Sequence, residues 1–487
     1  MTSKQLDVVI IGAGLSGIGA ACHLKMKCAD KTVAILESRD AIGGTWDLFR
    51  YPGIRSDSDM FTLGYEFKPW TNPKAIADGK DIREYVEETA REYDVEKLIR
   101  FGQRVVQASW SSEKAMWTLD VLDIKTDKKS KIQARFVISC TGYYKYDAGY
   151  TPDFPGAADF KGQVIHPQFW PEDLNYAGKK IVVIGSGATA VTLVPSLAPT
   201  AGHVTMLQRS PSYVVSVPQQ DPVSNKLRGK IPEKLIYHAA RARNVGLQML
   251  VYRLSKQAPQ TVRRLLTKQV EMQVGKKVDM KHFTPSYNPW DERLCAVPNG
   301  DLFKSLRSGK ASVVTDHIER FTQTGIQLKS GDHLEADIIV TATGLQLQLM
   351  GGLALKIDGK PRALSDTMNY KGLMFSDTPN LAMIFGYTNA SWTLKADISS
   401  DYICRLINHM DKQGLSYCMP HLEAGSVDEE PFLDMKSGYI KRAVGIFPKQ
   451  GSKAPWKVKQ NYFFDLTQLR LSKLEDGVMT FKKVTPT

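Results

Sequence analysis

The sequence predicts an α/β fold with two Rossmann-like dinucleotide-binding domains and a helical insertion. Three observations predict it. An apolar run, Leu6–Ile11, leads into Gly12-Ala-Gly14-Leu-Ser-Gly17 and then into a helical pattern. A second run, Lys180–Ile184, leads into Gly185-Ser-Gly187-Ala-Thr-Ala190 and another helix. Each unit later returns as a buried strand ending in a glycine turn, FVISCTG at 136–142 and ADIIVTATG at 336–344. In such a unit the first glycine permits the tight turn, the second lets backbone approach a pyrophosphate, and the third packs helix on strand.

In the first domain Thr32–Leu36 predicts the second strand. It ends in Glu37, twenty residues after Gly17. An acid there accepts ribose hydroxyls, while the helix N-terminus attracts the phosphates. Gly43 and Gly44 suit a loop pressed against a flat cofactor. Trp46 and Tyr51, taken singly, suit core packing. The spacing predicts an amphipathic helix over 81–93, and alternation such as WTLDVLDI predicts an antiparallel excursion over 100–134. The strand at 136–139 closes this domain near Tyr146, and the Tyr/Asp/Gly/Pro-rich stretch to Pro155 reads as a linker.

The second unit differs where it matters. Nineteen residues after Ala190 stands Arg209, where an NAD site would carry an acid. A cation there favours a 2′-phosphate, hence NADPH. Two dinucleotide units imply two cofactors, a resident flavin with an ADP tail and a mobile hydride donor. The domains expected are 1–148 with 346–487 for the flavin, 155–217 with 293–345 for NADP, and a helical insertion at 218–292.

The insertion carries most of the charge. Between Pro218 and Lys281 stand fourteen Lys or Arg against four acids (Asp221, Glu233, Glu271, Asp279), a surplus of ten in a chain of net charge +13. Leu247, Leu250, Val251 and Leu254 follow helical spacing. Such a helix can lie on an anionic membrane, or pack its apolar side on the protein and leave its charges in water; we favour packing.

Composition bounds the rest. With 487 residues and 43% hydrophobic residues, two or three domains with sizeable cores are expected. No nucleic-acid motif accompanies the positive charge, which argues against nucleic-acid binding. No secretory signal or spanning segment is expected, and six scattered cysteines without a C-x-x-C pair suit a cytoplasmic protein and no dithiol reductase. No metal-ligand pattern stands out.

At this point the residues carry a resemblance. Phe160-x-Gly162-x-x-x-His166-x-x-x-Trp170-Pro171 lies between the two glycine loops, and Gly44-x-Trp46-x-x-x-x-Tyr51-Pro52-Gly53-x-x-x-Asp57 is complete. The chain resembles the FAD- and NADPH-dependent Baeyer–Villiger monooxygenases of class B flavoprotein type. Segments such as YNPWDERLC, VPNGDLF and TNASWTLKAD are most similar to the ethionamide monooxygenase group. The resemblance implies that Ser16, Glu37, Thr45, Trp46, Asp47, Leu48, Asp57 and Val105 contact FAD. It implies that Arg55, Ser56, Asp57, Ile184, Gly185, Ser186, Gly187, Ala188, Thr189, Ala190, Gln208 and Arg209 contact NADP. Arg293 matches the active-site arginine, with Asp57 holding it. Where some members place a Lys before that Arg, this chain has Glu292, so NADPH preference rests on Arg209. His166 is expected to couple domain motion to cofactor handling.

The implied reaction uses NADPH and O₂ through a C4a-peroxyflavin. It turns a ketone into an ester or lactone, with sulfoxidation at the same site. Three rivals stand beside it: a flavin monooxygenase acting on sulfides, thioamides or amines, a plain NADPH oxidase or reductase, disfavoured by the missing dithiol, and a basic peripheral membrane protein with a vestigial cofactor site.

Overall fold

The computed structural model describes residues 5–292, 294–433 and 438–484. β1 (Gln5–Ile11) is buried along most of its length, as a strand covered on both faces must be. α1 (Leu15–Lys27) and β2 (Val33–Leu36) follow. α2 (Gly79–Glu92) turns Ile82, Tyr85, Val86 and Thr89 inward, the stripe that the spacing predicts. β3 (Gln103–Ser111), β4 (Met116–Asp123) and β5 (Lys129–Ser139) form the antiparallel excursion. β5 then runs parallel to β1, with Val8 opposite both Phe136 and, on the other side, Val33 of β2.

β6 (Tyr144–Gly149) leaves this sheet. β7 (Gln163–Ile165), β8 (Lys180–Ile184), α3 (Ala188–Leu197) and β9 (His203–Gln208) begin the second unit. The insertion supplies α4 (Glu233–Gln257) and α5 (Pro259–Val274). β10 (Ala311–Thr315) and β11 (Ile338–Thr341) complete a parallel sheet in the order β10-β9-β8-β11-β7. β12 (Leu345–Leu347) leaves it and pairs antiparallel with β6. The start of the stretch read as linker, through Gly149, is thus strand. Its partner lies two hundred residues away in the chain, so local composition carries no trace of the pairing. The ribbon pairs the two crossings between the sheets with each other.

The C-terminal third returns to the first unit through α6 (Trp392–Gln413), which packs on α1. A buried charge cluster joins them. His23 Nε2 lies 3.3 Å from Asp397 Oδ1, and Nδ1 lies 3.1 Å from Asp401 Oδ1. Burial opposes charging of the imidazole, but the two carboxylates outweigh it and raise the pKa from 6.5 to about 9. A raised pKa contributes stability that is fully present below about pH 6.5 and lost as pH rises through about 9. The size is on the order of 3 kcal/mol, since a pKa unit is worth about 1.36 kcal/mol. We therefore expect the melting temperature to fall between pH 6.5 and 9, and His23→Gln to flatten that fall. An equally steep fall in the variant would remove His23 from the cause.

The insertion bridges both units. Arg241 of α4, itself buried, donates through Nη1 to the carbonyls of Phe61 (2.9 Å) and Gly64 (2.8 Å) of the first unit. Val270 and Val274 of α5 enter the core of the second. The expectation that the apolar side packs inward fails for Leu247, Leu250, Val251 and Leu254, which are exposed; the apolar residues of α4 that turn inward are Ile236, Ala240 and Val245. The reason is chemical. Polar contacts by Arg241, Asn244 and Gln248 fix which face of α4 turns inward, and apolar periodicity does not register them.

Candidate active site

The glycine loop after β1 is shaped by close backbone contacts. Gly12 has φ +103°, and a Cβ on it would meet the Cys140 carbonyl oxygen at 2.7 Å. A Cβ on Gly17 would lie 1.9 Å from the Gly12 carbonyl oxygen. Gly14 caps α1 without a side-chain hydrogen bond, leaving the first N–H donors of that helix open to an anion. Glu37, buried at the end of β2, accepts the Ala13 N–H at Oε2 (2.7 Å) and the Arg39 N–H at Oε1 (2.8 Å). The acid is thereby fixed beside the loop.

The second loop repeats the plan. Gly185 follows buried Ile184 and has φ +147°, with Ala342 carbonyl oxygen 2.3 Å from where a Cβ would sit. Gly187 caps α3 without a side-chain bond and has open space around it. Ser186 Oγ lies 2.9 Å from Ser212 Oγ, and Ala190 is buried. Gln208 is buried and donates through Nε2 to the His282 carbonyl and to Thr315 Oγ1, both at 2.8 Å. Its next neighbour, Arg209, is exposed.

One cleft of about 510 Å³ joins the two loops. Gly12, Gly14, Ser16, Glu37, Thr45, Trp46, Arg55, Ser56, Asp57 and Val105 line it from the first unit, and Ala188 and Thr189 from the second. Arg55 is held by Asp301 at 2.6 Å. Asp57 is exposed on the cleft wall. Arg293 lies outside the described residues. The segment before it is anchored, with Trp290 packed edge-on against Tyr252 of α4 at 5.6 Å.

Ile184, Gly185, Ser186, Gly187, Ala190, Gln208 and Arg209, expected to contact NADP, are not among the cleft-lining residues, and two expected FAD contacts sit behind the wall. Asp47 is buried and ion-paired to Arg39, Arg50 and Arg83. Burial opposes its ionisation, but Arg39 and Arg50 overcome this and hold its pKa below the usual carboxylate value. Leu48 packs with Phe49 and Tyr51 into the apolar core of the second unit. Gly53, at φ +77°, presses against α3, where a Cβ would meet Ser196 Oγ at 1.9 Å. The Gly44–Asp57 motif therefore docks one unit on the other while its ends line the cleft.

The fingerprint residues lie away from the cleft. Phe160 packs in the core beside Phe321, and Gly162 has no room for a Cβ against the Asp337 carbonyl oxygen (2.2 Å). Trp170 packs near Tyr176, and Pro171 is exposed. His166 sits on the ribbon of β6 and β12. Its Nε2 lies 3.1 Å from the Gly344 carbonyl oxygen, and a Cβ on Gly149 would strike its ring at 2.0 Å. Burial lowers its pKa, which favours the neutral ring.

Sequence reasoning missed several lining residues. Trp392 donates from Nε1 to Ser16 Oγ (2.7 Å) and stacks on Tyr143 at 5.3 Å. Arg39 pairs with Asp47 and lies over the Tyr146 ring. Gln348 and Met350 also face the cleft. Trp392 opens the buried helix α6, a position that spacing alone does not separate from core packing.

Comparison with known proteins fits this geometry. The flavin-binding monooxygenase-like family model matches residues 69–350, and an NAD(P)-binding Rossmann-like model matches residues 10–69. The chain is 56% identical over 482 residues to "Probable FAD-binding monooxygenase AlmA" of Acinetobacter sp, covering 99% of this chain and 97% of that protein. It is 54% identical over 484 residues to FAD-containing monooxygenase EthA of Mycolicibacterium smegmatis, covering 99% and 98%. The structure of oxidised steroid monooxygenase bound to NADP superposes with a TM-score of 0.78 at 22% identity, covering 99% of this chain and 100% of that one.

Proposed function

This chain belongs to the flavin-binding monooxygenase-like family, and on that premise we propose that it inserts one oxygen atom from O₂ beside a ketone carbonyl, giving an ester or lactone, and oxidises sulfides at the same site. It is a flavin-dependent monooxygenase whose cofactors are FAD and NADPH. The observation that supports the finer reading most is the single cleft lined from both glycine-loop units.

The residues present fit two dinucleotides. Both loops have glycines where a Cβ would clash or fill the approach, and both following helices begin without a side-chain cap. In this reading the open N–H groups of α1 and Ser16 hold the FAD pyrophosphate, and Glu37 orients its ribose. Those of α3 hold the NADPH pyrophosphate, with Arg209 on the 2′-phosphate. FAD held there would supply the redox chemistry that links NADPH to O₂. Trp392, tied to Ser16, and Tyr143 exclude water from the flavin side of the cleft.

Arg293 stabilises the negative charge that builds on the substrate oxygen as the carbonyl carbon is attacked. A guanidinium suits the task because it keeps its charge at working pH. Asp57, on the cleft wall, orients it. His166, neutral and seated on the interdomain ribbon, couples domain movement to cofactor handling.

NADPH consumption with product analysis over linear, cyclic and aryl ketones plus sulfides tests the reading. Ester formation supports it. Sulfoxide formation with ketones returned unchanged assigns the site to sulfur oxygenation. For the second cofactor, Arg209→Ala should raise the NADPH KM about 10–100-fold, the worth of charge-assisted hydrogen bonds at about 1.5–3 kcal/mol. The NADH KM should change little. Equal effects on both would remove Arg209 from the 2′-phosphate.

A further inference from the structure

We propose that the outer face of the insertion docks on an anionic phospholipid surface. α4 cannot turn this face inward, because its other face is fixed. Tyr237 donates its hydroxyl to the Tyr65 carbonyl (2.8 Å), Asn244 donates to Asp59 Oδ1 (2.9 Å), and Arg241 is buried on the carbonyls of Phe61 and Gly64. What remains outside is an apolar stripe. Leu247 is 57% exposed, Leu250 52%, Val251 38% and Leu254 43%. On α5 the stripe is Leu265 at 65% and Met272 at 71%. Phe463, 51% exposed, shares a groove with Met249, Leu250 and Arg253. Scattered single leucines on a surface are ordinary, but large apolar residues clustered on two adjoining helices mark a partner.

Charge identifies the partner. Exposed Arg253, Lys256, Arg264 and Lys268 are interleaved with these apolar side chains, in a segment with a surplus of ten positive charges. A second copy of the chain would set that surplus against itself. A nucleic acid would satisfy the charge and leave the leucines in water. An anionic bilayer satisfies both, taking the apolar stripe at the headgroup boundary and the cations at the phosphates. No helix among the described residues is long and apolar enough to cross a membrane, so docking is in the plane of the surface. The inner face of α4 contacts residues 59–64, which continue from the cleft wall at Asp57 and Ser58.

The test is cosedimentation of the flavin-loaded full chain with phosphatidylcholine vesicles, with and without phosphatidylglycerol, at low and high salt. Wild type should bind the phosphatidylglycerol vesicles, more weakly as salt rises. Leu250→Asp/Leu254→Asp should bind at least about tenfold less, because charges replace the buried stripe. These positions are exposed, so flavin absorbance of the double variant should equal that of wild type. Absence of binding to phosphatidylglycerol vesicles, equal binding to neutral ones, or undiminished binding by the double variant would overturn the proposal. So would a dimer in light scattering that the double variant splits, which would assign the face to a second copy. None of these outcomes depends on which substrate is oxygenated.

Discussion

Arg293→Ala should abolish ester formation, by about 10²–10³ in rate, while FAD and NADPH still bind. Removing one preorganised donor from a developing oxyanion costs about 2.7–4 kcal/mol in comparable sites. NADPH oxidation should continue, with hydrogen peroxide as the product, because electron delivery to O₂ does not require the ketone. The segment leading to this residue is anchored by Trp290 on Tyr252, and Lys256 pairs with Asp291 at 3.5 Å. That anchoring rests on residues other than Arg293, so we expect the variant to keep its melting temperature. Arg293→Lys should recover part of the yield, because it restores charge without the planar fork. Full ester yield in Arg293→Ala would remove the residue from the chemistry.

The second large effect lies in the first glycine loop. Gly17→Ala puts a Cβ 1.9 Å from the Gly12 carbonyl oxygen, backbone against backbone, so either α1 or β1 must shift. The loop between them is the one expected to cradle the FAD pyrophosphate. The purified variant should therefore be colourless, or insoluble. Gly187→Ala supplies the control. Its φ of −84° suits any residue and nothing lies within 4 Å of the added methyl. This variant should fold, bind flavin and appear yellow. Its NADPH KM should rise about tenfold, since the methyl occupies the approach to an uncapped helix N-terminus. Full flavin occupancy in Gly17→Ala, or an unchanged NADPH KM in Gly187→Ala, would contradict the assignment of the two loops.

Much of this was legible in the sequence because the βαβ unit is local. Strand, glycines, helix and acid fall within about thirty residues, and each type answers a steric or electrostatic need at its position. Glu37, Gly12 and Gly17 could be placed that way. What depends on distant partners could not. The β6–β12 ribbon pairs Gly149 with Leu345, and no local pattern announces it. Asp47 and Leu48 fall inside a motif that touches the cleft, yet spacing does not say which way a side chain points. One is ringed by arginines and the other enters the neighbouring core. Trp392 reached the cleft through a helix that follows in sequence by more than three hundred and fifty residues. The exposed stripe of α4 was misjudged because buried polar contacts, not apolar periodicity, set the rotation of that helix.

We propose that oxygen is inserted next to a ketone carbonyl in this cleft. The direct measurement is turnover of the FAD-loaded wild-type enzyme with NADPH, ¹⁸O₂ and a ketone, followed by mass spectrometry of the products. An ester or lactone carrying one ¹⁸O atom in the bridging position is expected, formed in step with NADPH consumption. Ketone recovered unchanged, with all the consumed NADPH accounted for as labelled hydrogen peroxide, would contradict it.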